Sequence, residues 1–172
     1  NPVSFRDLLG VNGIWGWGTD SYSTMLPARE GPDRYNRSCS HARNYHNWNW
    51  DVSDPDHVPK FDQMVAPGSH DYGALPGHSS KLAFDWLNWD AEYTAWREVG
   101  LEVEVSVQFL QSMFAQSTFT DPYSAGYNYG YAFSRHFGKL HGTGDVSTLE
   151  VGNEPWGYDA SFYSDVLLGM AR

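Results

Sequence analysis

The 172-residue chain has few of the residues on which several protein classes depend. A single cysteine, Cys39, excludes an internal disulfide framework and a cysteine-built zinc site. Only three of the eleven basic residues are lysine, and 21 acidic residues bring the formal net charge to −10, which argues against nucleic acid or an anionic membrane as the main partner. No apolar run approaches the length of about 18 residues that a membrane-spanning helix requires.

Several catalytic motifs are also missing from the sequence. The seven histidines lack the His-x-x-x-His and His-Glu-x-x-His spacings of a catalytic zinc site, and there is no Gly-x-Ser-x-Gly motif or phosphate-binding glycine-rich loop. An acidic cluster lacks the glycine and terminal glutamate of a calcium loop, so we expect a solvated loop at Asp51, Asp54, Asp56, His57 and Asp62. The sequence therefore predicts no metal and no cofactor.

Aromatic residues, in contrast, are abundant. Eight tryptophans and eleven tyrosines exceed what one core of this size normally requires. Tyr and Trp combine a flat apolar face with a polar group, so extra copies often line binding sites for amphipathic ligands such as sugars. A tryptophan-rich core is the alternative interpretation.

Strand-like and helix-like segments alternate along the chain, which is typical of an α/β fold. Strands are predicted near Leu8–Trp15, His41–Asn47, Leu101–Phe109 and Val146–Asn153. A first, short helix is predicted to begin at Gly31-Pro32, and a second runs from Leu82 to a stop at Gly100. A third runs from Asp121-Pro122 to Gly138 and carries Tyr127, Tyr131 and Phe137. A fourth begins at Asp159 or Ser161 and has Phe162, Val166 and Met170 on one stripe.

The third strand has a strict period of two that allows two interpretations. Its apolar residues alternate with Glu102, Glu104, Ser106 and Gln108. A half-exposed antiparallel strand has this pattern. A parallel barrel strand has it too, if the apolar side meets helices and the polar side faces the barrel interior.

The most specific local motif, Val151-Gly152-Asn153-Glu154-Pro155-Trp156, follows the fourth strand. A carboxylate at Glu154 would stand at the mouth of the sheet. We expect Trp156 and the long loops to desolvate it in part, which favours the protonated form that a general acid needs. Asn153 can both donate and accept hydrogen bonds, as recognition of a sugar hydroxyl requires.

This motif and the four strand–helix units resemble the retaining glycoside hydrolases of clan A, whose (β/α)8 TIM barrels carry Asn-Glu-Pro at the end of strand four. The resemblance implies that Glu154 is the general acid/base and that Asn153 holds the sugar's 2-hydroxyl. It also matches Arg43, in His41-Ala42-Arg43-Asn44-Tyr45-His46, to the arginine beside the nucleophile. That nucleophile belongs to strand seven, so residues 1–172 would form the amino-terminal half of a barrel that a carboxyl-terminal half or a second chain completes.

Further candidate substrate contacts follow the predicted strands, although plain packing of the same side chains is an equal alternative. They are Asn12, Trp15 and Trp17 after the first strand, His46, Trp48 and Trp50 at the second, Gln108 at the third and Trp156 at the fourth. A first residue other than Met indicates either a processed mature terminus or an excised fragment. Together with a glycosylation sequon at Asn36-Arg37-Ser38, it favours a secreted protein.

The sequence thus predicts a secreted retaining glycoside hydrolase that cleaves a polysaccharide by acid/base-assisted double displacement, with carbohydrate as its partner. A non-catalytic carbohydrate-binding or structural protein with a degenerate barrel is the first alternative. A self-assembling half-barrel is the second, because four units leave open sheet edges that must be covered or paired.

Overall fold

A computed structural model describes residues 4–12, 30–63, 89–109 and 114–172 of the chain. Short 3-10 turns span Phe5–Leu8, Trp48–Trp50, Phe61–Gln63 and Gln116–Thr118. The strands are β1 Gly10–Asn12, β2 His41–Asn47, β3 Glu102–Gln108 and β4 Thr148–Val151. The helices are α1 Glu30–Asn36, α2 Trp89–Glu98, α3 Pro122–Phe137 and α4 Ala160–Met170. Within these residues no helix has the length and apolar character needed to cross a membrane.

The four strands form one parallel sheet in the order β1-β2-β3-β4. In its register, Arg43 lies opposite Asn12 and Glu104, and Ser106 lies opposite Tyr45 and Glu150. The predicted α/β class is therefore confirmed, and each described strand lies within a predicted range. The antiparallel interpretation of β3 is wrong, because β3 pairs in parallel with both of its neighbours.

The two faces of the sheet differ in polarity. One face carries the buried apolar residues of the core, including Ala42, Val103, Val105, Val107 and Phe109, and packs against the helices. The other face carries polar residues, namely Asn12, Arg43, Tyr45, Glu104, Ser106, Gln108 and Glu150. The period of two in β3 thus separates a helix-covered face from a polar face, which is unusual because parallel sheets are usually apolar on both faces.

Helix ends follow the predicted local signals. Gly100, just after α2, has φ +82°, the left-handed conformation that glycine adopts without steric cost. At α4, Asp159 is the N-cap: its Oδ1 accepts hydrogen bonds from the backbone N–H of Ser161 at 2.9 Å and Phe162 at 3.3 Å. The hydroxyl of Ser161, which donates to the same oxygen, and these two backbone bonds lower the pKa of the Asp159 carboxyl group.

Helices α3 and α4 pack closely because α3 presents glycine where they meet. A Cβ on Gly126 would lie 2.5 Å from the backbone oxygen of Val166. The stripe predicted on α4, Phe162, Val166 and Met170, is buried as expected. Of the aromatic residues predicted on α3, Phe137 is buried, whereas Tyr127 and Tyr131 lie on the outer surface, 42% and 55% exposed.

Candidate functional site

A cluster of polar side chains on the polar face of the sheet is centred on Arg43 of β2. Arg43 Nε donates to Glu150 Oε2 at 2.8 Å, and Nη2 donates to the same oxygen. Nη1 donates to Asn12 Oδ1 at 3.0 Å, and Nη2 donates to Asn153 Oδ1 at 3.1 Å. One guanidinium therefore ties β2 to β1, to β4 and to the Asn-Glu-Pro motif.

The charges of this cluster are unequal. Glu104 Oε1 lies 3.6 Å from Arg43 Nε, so two carboxylates, Glu104 and Glu150, flank one cation. The Tyr45 ring centroid lies 4.8 Å from the guanidinium carbon, within cation–π range. Partial burial lowers the pKa of Arg43, but the hydrogen bonds and negative charge of Glu150, together with the neighbouring Tyr45, outweigh burial, so the pKa is raised overall. Arg43 is therefore a permanent cation, as arginine is throughout proteins.

The motif after β4 has an unusual backbone. Gly152 has φ +74°, and Glu154, at φ 51°, is the only non-glycine with positive φ among the residues that the structure describes. The left-handed region is unfavourable for a residue with a side chain, and a residue before proline prefers extended backbone. The backbone N–H of Trp156 donates to Glu154 O at 2.8 Å and closes the turn. Strained backbone of this kind is concentrated at functional sites.

The expected desolvation of Glu154 by Trp156 is not found. Glu154 is exposed, and the indole of Trp156 is 83% exposed. The tight turn leaves both side chains open to solvent, so neither covers the other. The carboxylate and the indole instead form an open surface at the carboxyl end of β4.

His46 and Trp48 lie away from this surface, in the core. The side chains of β2 alternate, so His46 lies on the helix-covered face, opposite to Arg43 and Tyr45. His46 is completely buried and stacks on Trp89 with ring centroids 4.0 Å apart. Trp48 is also completely buried. A sugar bound on the polar face has no access to either ring, and the tryptophan-rich core accounts for both.

A buried chain of hydrogen bonds surrounds His46. Asn44 Nδ2 donates to Tyr93 Oη at 3.1 Å, which leaves the Tyr93 hydroxyl to donate to His46 Nδ1 at 2.7 Å. His46 Nε2 then donates to Asp51 Oδ2 at 2.7 Å, and Tyr129 Oη donates to the same oxygen at 2.7 Å. With these directions, each hydroxyl group and each ring nitrogen has a hydrogen-bond partner while the imidazole is neutral.

The expectation of a solvated acidic loop is affected by this network. Asp51 is only 2% exposed, so its placement in a solvated acidic loop is wrong: the hydroxyl of Tyr129 and the ring of His46 draw it into the core. Burial, reinforced by the Asp51 charge, raises the pKa of Tyr129 well above its ordinary value. Burial raises the pKa of Tyr93 in the same way, although the Asn44 hydrogen bond opposes it. Among the described residues, no group of three or more His, Cys, Asp or Glu is placed to hold a metal ion.

The remaining candidates divide into three groups. Gln108 is 5% exposed at the end of β3, and its Nε2 donates to Ser106 Oγ at 2.7 Å on the polar face. Asn36, the sequon residue, ends α1 and accepts a hydrogen bond from Arg6 Nη2 at 2.6 Å through Oδ1. Trp15, Trp17 and the side chain of Trp50 lie outside the described residues.

The structure thus brings Asn12, Arg43 and Asn153 into direct contact, three residues that the sequence analysis proposed separately. No family model, curated protein or solved structure matches this chain. Sequence reasoning missed Glu150, which accepts the closest Arg43 contacts. No local signal in the sequence could have found it, because its place on the polar face follows from the register of β4 against β3, in which Glu150 lies opposite Ser106.

The chemistry available at this edge of the sheet suits a hydroxyl-rich ligand. Glu154 supplies a carboxylate, Asn153 supplies an amide, and Trp156 supplies a flat apolar face, all within one turn. Hydroxyl groups require matched donors and acceptors, and pyranose rings stack on indoles through their C–H faces. The carboxyl ends of parallel strands are where sheets of this kind bind ligands.

Proposed function

We propose that residues 1–172 contribute the first four βα units of a (β/α)8 barrel in a retaining glycoside hydrolase of the clan A type, which cleaves a polysaccharide. The observation that carries the proposal is the strained turn after β4. It presents the Glu154 carboxylate next to Asn153, whose amide is bound to Arg43.

The arrangement of the strands supports the barrel proposal. Four parallel strands follow one another in chain order, with helices on one face and charged residues on the other. Closing such a sheet would place Arg43, Glu104 and Glu150 inside the barrel and the β4 turn at its carboxyl-terminal mouth. A carboxyl-terminal half or a second chain would supply the other strands and the nucleophile.

In the proposed mechanism, Glu154 acts twice. It protonates the departing glycosidic oxygen while a second carboxylate attacks the anomeric carbon, and the bond to the leaving group breaks. It then removes a proton from the water that hydrolyses the glycosyl-enzyme, which restores both carboxyl groups. Asn153 would bind a hydroxyl of the same sugar ring. The exposed indole of Trp156 would stack on a sugar unit, which suits a chain substrate in an open cleft.

Secretion and glycosylation belong to the same proposal. An extracellular polysaccharide is the substrate that a secreted hydrolase would encounter, and Asn36 would carry the glycan. Removal of the glycan by an endoglycosidase should lower the protein's mass, and an Asn36→Gln variant should not change mass on the same treatment. An unchanged mass in the wild-type protein contradicts the modification.

A non-catalytic carbohydrate-binding protein is the second candidate. The exposure of Trp156 favours it, because an open aromatic surface binds sugar without any nucleophile. A self-assembling half-barrel would differ from both candidates by its oligomeric mass.

Activity of a Glu154→Gln variant in the full-length protein tests the hydrolase proposal. We expect turnover of a polysaccharide to fall by about 10² to 10⁴, the range for loss of a general acid/base, while binding to the same polysaccharide remains. Glu98→Gln, at the exposed end of α2, is the matched control and should keep full turnover. Normal turnover by Glu154→Gln overturns the role. Binding without turnover in the wild type favours the second candidate.

A further inference from the structure

We infer that Arg43 is a positioning residue: it does not bind the ligand itself but fixes the amide of Asn153 so that Nδ2 is presented as a hydrogen-bond donor. The nature of the ligand, a sugar, rests on the proposed function. The orientation of the amide rests only on contacts within the described part of the chain.

The hydrogen-bonding capacity of Arg43 is largely used within the protein. Its nitrogens make four hydrogen bonds, to Glu150, Asn12 and Asn153, and its side chain is only 19% exposed. A guanidinium has five N–H groups and no acceptor. Little of it is left to bind a substrate hydroxyl, although the sequence analysis proposed Arg43 as a substrate contact.

The same chemistry determines which way the Asn153 amide points. Because Arg43 can only donate, the amide atom facing it must be the oxygen, whichever way an amide could otherwise be flipped. Asn12 obeys the same rule: its Oδ1 accepts from Arg43, and its Nδ2 donates to Tyr45 Oη at 3.2 Å. Asn153 Nδ2 has no such partner among the described residues, and Asn153 is partly exposed. It therefore remains available to an oxygen atom of a ligand.

Glu150 holds Arg43 in this position. Its Oε2 accepts from both Nε and Nη2 of Arg43, which fixes the end of a long side chain. The Tyr45 ring covers the guanidinium at 4.8 Å. Glu150 thus acts on Asn153 through Arg43, although it does not contact Asn153 itself among the hydrogen bonds described.

The experiment is nuclear magnetic resonance of full-length protein labelled with ¹⁵N-asparagine and ¹⁵N-arginine. Loss of one side-chain amide pair in Asn153→Asp assigns the Asn153 signals. We expect these signals to move in both Arg43→Lys and Glu150→Gln. Glu102→Gln is the matched control, because the carboxylate that it removes from β3 pairs with Lys139 and not with Arg43. This variant should leave the Asn153 signals in place. Unmoved signals in Glu150→Gln and Arg43→Lys overturn the inference.

A second measurement needs no variant of Arg43. In the wild type, Arg43 Nε–H should exchange with solvent at least about tenfold more slowly than that of the exposed Arg135, because it is bound to Glu150. Equal exchange rates contradict the positioning role.

A double-mutant cycle tests whether the positioned amide acts on the substrate. Arg43→Lys should reduce kcat on the polysaccharide that the wild type cleaves, and it should have little further effect when Asn153 is already alanine. Multiplicative losses would show that Arg43 acts independently of Asn153. The resonance and exchange measurements use no substrate. Absence of hydrolysis would therefore overturn the proposed function, whereas those two measurements alone decide the orientation of the amide.

Discussion

Replacing Glu154 by glycine should stabilise the fold even though it removes the proposed catalytic carboxylate. Glu154 has φ 51°, a left-handed conformation in which a Cβ is crowded by its own backbone. Glycine has no Cβ and adopts this conformation freely. The variant therefore separates the backbone strain at this position from the chemistry of the side chain.

The expected gain is the difference between two opposing effects. The left-handed conformation costs a residue with a side chain about 1 to 2 kcal/mol. Glycine loses more conformational entropy on folding, which costs about 0.5 to 1 kcal/mol. Near the middle of these two ranges, the net increase in the free energy of unfolding is about 0.5 to 1 kcal/mol. For a chain of this size, that corresponds to a rise in Tm of about 1 to 4 °C.

Thermal unfolding of Glu154→Gly and Glu154→Ala provides the comparison. Alanine removes the same carboxylate but keeps the Cβ, so it should remain as strained as the wild type. Glu98→Gly, at the end of helix α2, is a control for the general effect of glycine and should be destabilised by up to about 1 kcal/mol. If Glu154→Gly is no more stable than Glu154→Ala, the strain assigned to this turn does not exist.

Three further predictions concern the core. Gly126→Ala should lower the free energy of unfolding in urea by about 1 to 2 kcal/mol despite the better helix propensity of alanine, because its Cβ would overlap the backbone of Val166. Gly157→Ala is the control and should change the free energy of unfolding by less than about 0.5 kcal/mol, because a Cβ added there would meet no atom within 4 Å. Asp51→Ala should cost about 2 to 4 kcal/mol, because it leaves two buried donors unpaired, whereas the exposed Asp62→Ala should be near neutral; equal effects would contradict the buried network. Tyr93 and Tyr129 have raised pKa values, so above pH about 10 the unfolded chain loses protons that the folded chain keeps, and stability must fall as pH rises. As the pH is raised, tyrosinate absorbance should therefore increase in two phases, and the second phase should coincide with unfolding. An increase in a single phase would contradict the raised pKa values of Tyr93 and Tyr129.

The sequence predicted most where the signal was local. Gly100 marked the end of a helix because only a left-handed residue fits there, and Asp159 marked a beginning because its side chain caps free N–H groups. The alternation in β3 correctly indicated one polar face. Its direction could not be derived from the period, because antiparallel edge strands and polar-faced parallel strands share it.

The sequence predicted least where distant elements determine the environment. Every residue of β2 except Ala42 carries a polar group, so little in the local sequence indicates that His46 is buried and that Arg43 is not. That difference arises from Trp89 and Tyr93, which α2 places on one face only. Asp51 was misplaced for the same reason, since its partner Tyr129 comes from α3. The contact between Arg43 and Glu150 depends on the strand order, which the sequence does not state.

Azide rescue of a Glu154→Ala variant in the full-length protein tests the central claim most directly. In an aryl glycoside with an acidic phenol, the phenolate leaves without being protonated, so the variant should still form the glycosyl-enzyme. Hydrolysis of that intermediate should be slow, because no base activates water. Azide attacks without base assistance, so its addition should restore turnover and yield a glycosyl azide with retained anomeric configuration. Wild-type turnover of the polysaccharide by Glu154→Ala, or a variant that azide does not accelerate, would contradict the role of Glu154 as the acid/base of a retaining glycoside hydrolase.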